Sequence, residues 1–293
     1  MSSTEPVIAV VGATGQQGGA TAAALFARGW RVRAVVRDPR GAAARQLARS
    51  GAALVTADLD HRASLETAFR GAHGVFSVQP ALIPPDFAPN ELQRGITVAD
   101  AAQAVGVRHL VYSSVASRGA TETGPDVPHW TLKREIEQHL RAIGIPTTVL
   151  RPVMFMENHA DPTYGVHGEH SLLRALPADR RIQLVAAEDI GVFAALAFAE
   201  PDQYVGQAVE LAGDELTPGR IAAAITRASG RDLTSLGGSA EPADDAALPR
   251  YQGWHADPRE LRRRHPGLLD FDAWLTRRGK ALLDKHFSDH ERR

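Results

Sequence analysis

A run of apolar, mostly β-branched residues at 7–11, V-I-A-V-V, stops on Gly12, and glycines return at 15, 18 and 19 ahead of an alanine-rich stretch at 20–28. Physically this is a buried strand, a tight turn and a helix whose N-terminus faces whatever lies over the turn. The first N–H groups of such a helix have no intrahelical partner and carry partial positive charge, so they attract phosphate. Gly12 is expected to make the turn, Gly15 to allow close backbone approach, and Gly18 or Gly19 to let the helix pack near the strand. The spacing is G-x-x-G-x-x-G rather than G-x-G-x-x-G. Its place between strand and helix, beside the N-terminus, still reads as a dinucleotide-binding turn, with Thr14, Gln16 and Gln17 completing the surface offered to the ligand.

The strand-then-helix alternation continues. Strands are expected at 31–36, 52–56, 74–78, 108–113 and 146–150, and helices at 41–50, 64–69, 91–105 and from about 130 to 143. Such alternation across short turns implies an α/β fold, a Rossmann-type doubly wound parallel sheet with right-handed crossovers. The expected domains are a dinucleotide-binding domain over 1–150 and a smaller, mostly helical region over 151–293. The second is expected to interleave with the first and complete the cleft on the substrate or partner side. Beyond 151 the pattern loosens, and 155–170 mixes aromatics, histidines, prolines and glycines in the manner of a loop or short helix lining a pocket. A helix at 188–199, a strand at 208–211, a helix begun by Thr217-Pro218 and a final helix at 271–286 follow. The charged end (Lys285, Asp289, Glu291, Arg292, Arg293) reads as a solvated tail.

Composition closes off several functions. Apolar residues make up 44% of 293, enough for a substantial core. The formal net charge is −1 with no basic stripe, so no nucleic-acid surface is expected, since phosphate contacts need clustered Lys and Arg. The absence of cysteine removes disulfides, thiolate nucleophiles and Cys-ligated zinc, and fits a reducing cytosol. Residues 1–6 lack a signal pattern and no apolar run reaches membrane-spanning length, so a soluble cytoplasmic protein, monomer or homodimer, is expected. No G-x-S-x-G elbow supports a serine hydrolase. His159, His167 and His170 lie near Glu157, Asp161 and Glu169, but their spacing matches no compact helical ligand pair. They are expected to line the substrate side of the cleft with Phe155, Met156, Asn158 and Tyr164, and no metal is assigned.

A cofactor-binding α/β unit commonly presents Asp or Glu to the ribose 2′-hydroxyl about twenty residues past the glycine turn. Here the second strand ends in Arg37. A guanidinium pairs bidentately with a 2′-phosphate and stacks on adenine, which favours NADP(H) over NAD(H). Asp38 would reach the ribose if Arg37 turned away, and Arg40 is either a second phosphate contact or a surface charge at a helix start. Asp58-Leu59 follows the third strand on the same C-terminal edge. Asp58 is expected to accept from the adenine amino group while Leu59 covers the ring, or the pair forms an Asx turn with Leu59 in the core. Ser77, Val78 and Gln79 end the fourth strand toward the inner ribose or pyrophosphate, and Ser113 and Ser114 end the fifth, nearer the nicotinamide. Leu132, Ile136, Leu140 and Ile143 make an apolar stripe, leaving Lys133 and His129 on a neighbouring face that opens toward Ser113. A lysine there can bond nicotinamide-ribose hydroxyls and lower the pKa of a nearby hydroxyl or water. The alternative is a surface lysine paired with Glu137.

Gly12 through Gly18, Arg37-Asp38-Pro39, Asp58-Leu59-Asp60, Val111-Tyr112-Ser113-Ser114, Lys133 with Glu135 and Glu137, Arg151-Pro152 and Glu188-Asp189-Ile190-Gly191 occur in order. Together they make the chain, over residues 7–274, resemble the NmrA-like proteins of the HSCARG type within the atypical short-chain dehydrogenase/reductase superfamily. The resemblance implies NADP(H) binding. Some members resemble redox sensors or regulators that have lost chemistry, others are NAD(P)H-dependent quinone reductases, and the related isoflavone-reductase-like enzymes use an active-site lysine. The superfamily pattern Tyr-x-x-x-Lys is broken here: His129 stands where the tyrosine would be, and Lys133 remains. That disfavours ordinary carbonyl reduction, in which the phenol completes proton transfer. Hydride transfer to a quinone needs less help because its product anion is more stable, and His129 is the candidate acid, imidazole being the side chain suited to proton transfer near neutral pH. The expected function is an NADP(H) sensor in which occupancy reorders loops at 80–90, 114–129 and 155–170 for a regulated protein partner. The alternative is an NADPH-dependent oxidoreductase acting on a quinone-like or conjugated small molecule, assisted by Lys133 and His129.

Overall fold

The computed structural model describes residues 6–79, 90–116, 128–162, 165–166, 171–233 and 254–292. Two compact units share the chain: Met1–Val115, Asp126–Arg151 and Ile190–Val209 make the first, and Ala116–Pro125, Pro152–Asp189 and Glu210–Arg293 make the second. The elements run β1 (Val7–Val10), α1 (Gln16–Ala27), β2 (Arg31–Val36), α2 (Ala42–Arg49), β3 (Ala53–Thr56), α3 (Arg62–Phe69), β4 (Gly74–Ser77), α4 (Glu91–Ala104), β5 (His109–Ser113), α5 (Pro128–Ile143) and β6 (Thr147–Pro152). Then come β7 (Met154–Phe155), α6 (Leu172–Ala175), β8 (Ile182–Val185), α7 (Ala187–Ala199), α8 (Pro201–Tyr204), β9 (Ala208–Leu211), β10 (Asp214–Leu216), α9 (Pro218–Ser229), α10 (Pro258–Arg264), α11 (Phe271–Trp274) and α12 (Lys280–Glu291).

Seven strands form one sheet in the order β3-β2-β1-β4-β5-β6-β9, and every pair from β3 to β6 is parallel. Side chains alternate across it as strand geometry requires. Ala9, Val11, Val75, Leu110, Tyr112 and Val149 pack against Leu65 and Phe69 of α3, Val98 and Ala102 of α4, and Ile136 and Leu140 of α5. Residues of the other parity, Ile8, Val10, Phe76 and Val111, are equally buried, so both faces are covered. This is the doubly wound architecture that the alternation of strands and helices implied. The order reverses between β1 and β4, and in open α/β sheets ligands lie outside the C-terminal ends of strands at such a switch point.

At the start of β5, His109 ties three elements together. The Thr148 hydroxyl donates to the Tyr204 carbonyl (2.8 Å), so His109 Nε2 is the donor to Thr148 Oγ1 (2.8 Å). Burial pushes the His109 pKa down to about 4.

The second unit holds a three-stranded sheet, β10-β8-β7, with β7 parallel and β10 antiparallel to β8. Its core joins Met156, Leu184, Ile221, Ile225, Phe271, Trp274, Leu283 and Phe287. α9 starts and stops as its sequence predicts: Thr217 caps it by accepting from the Arg220 N–H, Pro218 is its first residue, and Gly230 closes it at φ 73°.

Three expectations for this region need correction. The expected helix at 271–286 is present but includes a π turn at Leu275–Gly279, where the Trp274 ring packs so close to Gly279 that a Cβ there would lie 2.5 Å from its Cε3. The charged end is a helix rather than a tail: α12 buries His286 and Phe287, while Lys285, Asp289, Glu291 and Arg292 are exposed as expected, with Glu291 paired to Arg231. Met156 and His159 are core rather than pocket lining, with exposures of 0% and 2%, and Glu157 beside them is buried too. The Glu157 carboxylate accepts from the first N–H of α7, at Ala187, and from Trp274 Nε1 (3.1 Å), while burial raises its pKa. His159 Nδ1 bonds the Met156 carbonyl oxygen, and burial lowers its pKa to about 4. Tyr164, His167, Glu169 and His170 lie outside the described residues.

Candidate functional site

The glycine turn sits at the switch point, within the first unit. Gly12 has φ 67°, a left-handed conformation that disfavours a side chain, and the end of β4 presses on it: a Cβ there would lie 2.8 Å from Val78 Cγ1. Gly18 is the residue that lets α1 approach β1, since its Cβ would fall 2.2 Å from the Gly12 carbonyl oxygen; at Gly19 the nearest atom is 3.4 Å away. Gly15 is the N-cap and donates its N–H to Gly12 O (2.9 Å), with no side chain capping the helix. The first N–H groups of α1, at Gln16, Gln17 and Gly18, therefore point out of an exposed Thr14–Gly15–Gln16 surface without a side-chain acceptor. Gln17 reaches back instead: Ser113 Oγ donates to its Oε1, tying the first turn of α1 to the end of β5.

Arg37 is exposed at the end of β2 and forms no ion pair among the described residues. Asp38 is engaged elsewhere: its Oδ1 accepts from the Arg40 N–H (2.9 Å) and lies 3.6 Å from Arg40 Nε. Asp58 forms the Asx turn that was its alternative reading, with Oδ1 accepting from the Asp60 N–H (3.0 Å), and Leu59 packs against the core of this unit. Ser77 and Gln79, each 2% exposed, bond one another through Gln79 Nε2 (2.9 Å). The Gln79 Oε1 is left buried without a partner among the described residues.

Lys133 is neither open to solvent nor paired with Glu137. Its side chain is 5% exposed, its Nζ lies 2.9 Å from Glu91 Oε1, and it sits 5.7 Å from the Tyr112 ring centroid. Glu137 is taken instead by Arg151, whose Nε and Nη2 donate at 3.1 and 2.5 Å, and by Ser114 Oγ (2.6 Å) and Arg141 (3.0 Å). A bidentate guanidinium outcompetes a lysine for that carboxylate. Sequence reasoning passed over Glu91; a buried acid at the first position of a helix that follows a strand end was its only signal. Tyr112 does not replace the missing phenol. It is wholly buried, and burial, with Glu91 and Glu137 nearby, drives its pKa up, which makes it a poor proton donor. The side chain of His129 lies outside those described.

The model of the NmrA-like family matches residues 4–241. This chain belongs to the NmrA-like family. The nitrogen metabolite repression protein NmrA of Emericella nidulans is 30% identical over 251 residues, covering 80% of this chain and 68% of that protein. The (4-alkanoyl-5-oxo-2,5-dihydrofuran-3-yl)methyl phosphate reductase of Streptomyces griseus is 32% identical over 248 residues, covering 84% and 82%. The chain spans only about half the length of several other curated relatives, 47% and 50% in two oxidoreductases of the same family from Cladobotryum sp and Penicillium ochrochloron. Among solved structures, NmrA, a negative transcriptional regulator crystallised with NAD, superposes with a TM-score of 0.79 at 22% identity over 97% of this chain and 98% of its own. At that identity the likeness speaks for the fold. No described helix is long and apolar enough to cross a membrane, and no described cluster of His, Asp or Glu is suited to a metal ion.

Proposed function

We propose that this NmrA-like protein binds NADP(H) at the glycine turn and works as a cytoplasmic sensor of that cofactor, passing its occupancy to a regulated protein partner. The residues fit the group. The uncapped start of α1 offers N–H groups to the pyrophosphate, and Gly18, where a Cβ would collide with Gly12, lets that start sit close against the turn. Gln79 keeps a buried carbonyl oxygen in need of a donor. Arg37 is exposed and uncommitted where a 2′-phosphate would lie, and Asp38, the competing ribose ligand, is held by Arg40. When bound, the nicotinamide supplies or accepts hydride.

The observation that carries the sensor reading is the contrast between this binding edge and the proton-transfer side. There Lys133 is closed in by Glu91, the position four residues before it is histidine, and Tyr112 is buried beyond use. A site that positions a cofactor without delivering a proton is suited to binding rather than turnover. The regulatory role of the relative NmrA supports the same reading.

The second reading is an NADPH-dependent reductase of a quinone-like or conjugated small molecule, with Lys133 and His129 assisting. It draws on the Streptomyces griseus relative named as a reductase, matched over most of both chains. One assay separates them: NADPH is mixed with quinones, enones and aldehydes, and loss of reduced-nicotinamide absorbance is followed. The sensor reading expects binding without turnover. Turnover abolished by Lys133→Ala with NADPH binding retained would overturn it in favour of the reductase.

A further inference from the structure

Helices α4 and α5 touch where Gly95 meets Ile136, a Cβ on the glycine falling 2.4 Å from Ile136 Cδ1. One turn nearer both N-termini, Glu91 lies four residues before Gly95 and Lys133 three before Ile136. Helical spacing therefore stacks them on the same line of contact. The outcome is a buried ion pair, Lys133 Nζ to Glu91 Oε1 at 2.9 Å, with side-chain exposures of 5% and 3%. The aromatic face of Tyr112 borders it, and Glu137, the other acid within reach on α5, is held by Arg151, Arg141 and Ser114. Both members start the first turn of the helix that carries them or lie just past it, on the side of the sheet where β4 and β5 end.

We propose that Glu91 is the positioning residue for Lys133, and that the pair acts as one unit at the nicotinamide half of the cofactor site. Glu91 fixes where Nζ lies and cancels its charge toward the pocket. With its charge balanced in this way, Lys133 would favour the uncharged dihydronicotinamide over an acidic ligand on that side of the glycine turn. A lone lysine would attract carboxylates; a lysine balanced at 2.9 Å offers directed N–H donors with little net field. The proposal rests on the cofactor reading above and deepens it by naming the residue that governs the nicotinamide side.

The test is equilibrium binding of two probes, NADPH and adenosine 2′,5′-bisphosphate, which carries only the adenine half. Wild type, Glu91→Gln, Lys133→Gln, the double variant and Glu91→Asp are compared. Glu91→Gln and Lys133→Gln are each expected to weaken NADPH by about tenfold, equivalent to roughly 1.4 kcal/mol. The double variant is expected to lose no more than either single one, because the residues act together. Affinity for the bisphosphate should stay unchanged throughout. If Glu91→Gln does not fold, Glu91→Asp, which keeps the charge but withdraws it, is expected to show a smaller loss for NADPH alone. Unchanged NADPH affinity in both Glu91 variants would overturn the proposal, as would equal losses for both probes, which would make the pair a fold element only. A wild-type protein that binds neither probe would instead sink the cofactor reading itself.

Discussion

Arg37 and the two glycines that shape the turn carry most of the binding account at the scale of single residues. Arg37 has no competing partner among the described residues, and its neighbour Asp38 is fixed on Arg40, so the guanidinium is available to a 2′-phosphate. A charge-assisted bond of that kind contributes about 1.5–3 kcal/mol. Arg37→Ala is therefore expected to lower the NADPH-to-NADH affinity ratio by about ten- to a hundredfold, measured by calorimetric titration of both cofactors; an unchanged ratio removes the 2′-phosphate assignment. Gly12 and Arg37 were legible in sequence because each is defined by its place in one strand–turn unit. The choice between Gly18 and Gly19 was not, since it depends on how far the Gly12 carbonyl projects toward α1. Nor was Glu91: its partner lies on another helix, and the packing of α4 on α5, with Gly95 against Ile136, brings them together.

At the scale of elements, the strands and helices of the first unit follow from apolar runs and turn residues, and their bounds moved by only a few positions. The second unit was harder to read. Its short strands β7 and β8 pair within a separate three-stranded sheet, and the π turn after α11 coincides with close packing of the Trp274 ring on Gly279, neither of which has a local sequence signal. The buried histidines make a prediction here. His109, which joins β5 to β6 and α8, and His159, in the core of the second unit, both have pKa values pushed down by burial to about 4 from 6.5. Between those values the unfolded chain binds protons that the folded chain refuses, so stability rises with pH across that window and is lost as pH falls toward 4. Each histidine contributes up to about 3 kcal/mol of this slope. Glu157 acts in the opposite sense, because its raised pKa lets the folded state take a proton first. Urea unfolding at pH 7 and pH 5 should show a lower midpoint at pH 5, and His109→Gln should flatten the difference. An identical pH dependence in wild type and His109→Gln would mean that the His109 imidazole is not held neutral in the folded core.

The whole molecule combines a doubly wound sheet, a switch point between β1 and β4, and membership of a family whose named relatives include both a regulator and a reductase. The fold was legible because strand–helix alternation admits few topologies. Function was less so, because binding and turnover share one scaffold and differ in a few side chains at one edge. Everything proposed for this chain depends on NADP(H) lying on the glycine turn. Amide hydrogen exchange with and without NADP+ tests it most directly, because the uncapped N–H groups at Gln16, Gln17 and Gly18 are the ones the phosphates would engage. Slowed exchange in peptides covering 12–18, 37–40 and 58–60 is the expected result. Exchange unchanged there, or slowed only elsewhere, would contradict it.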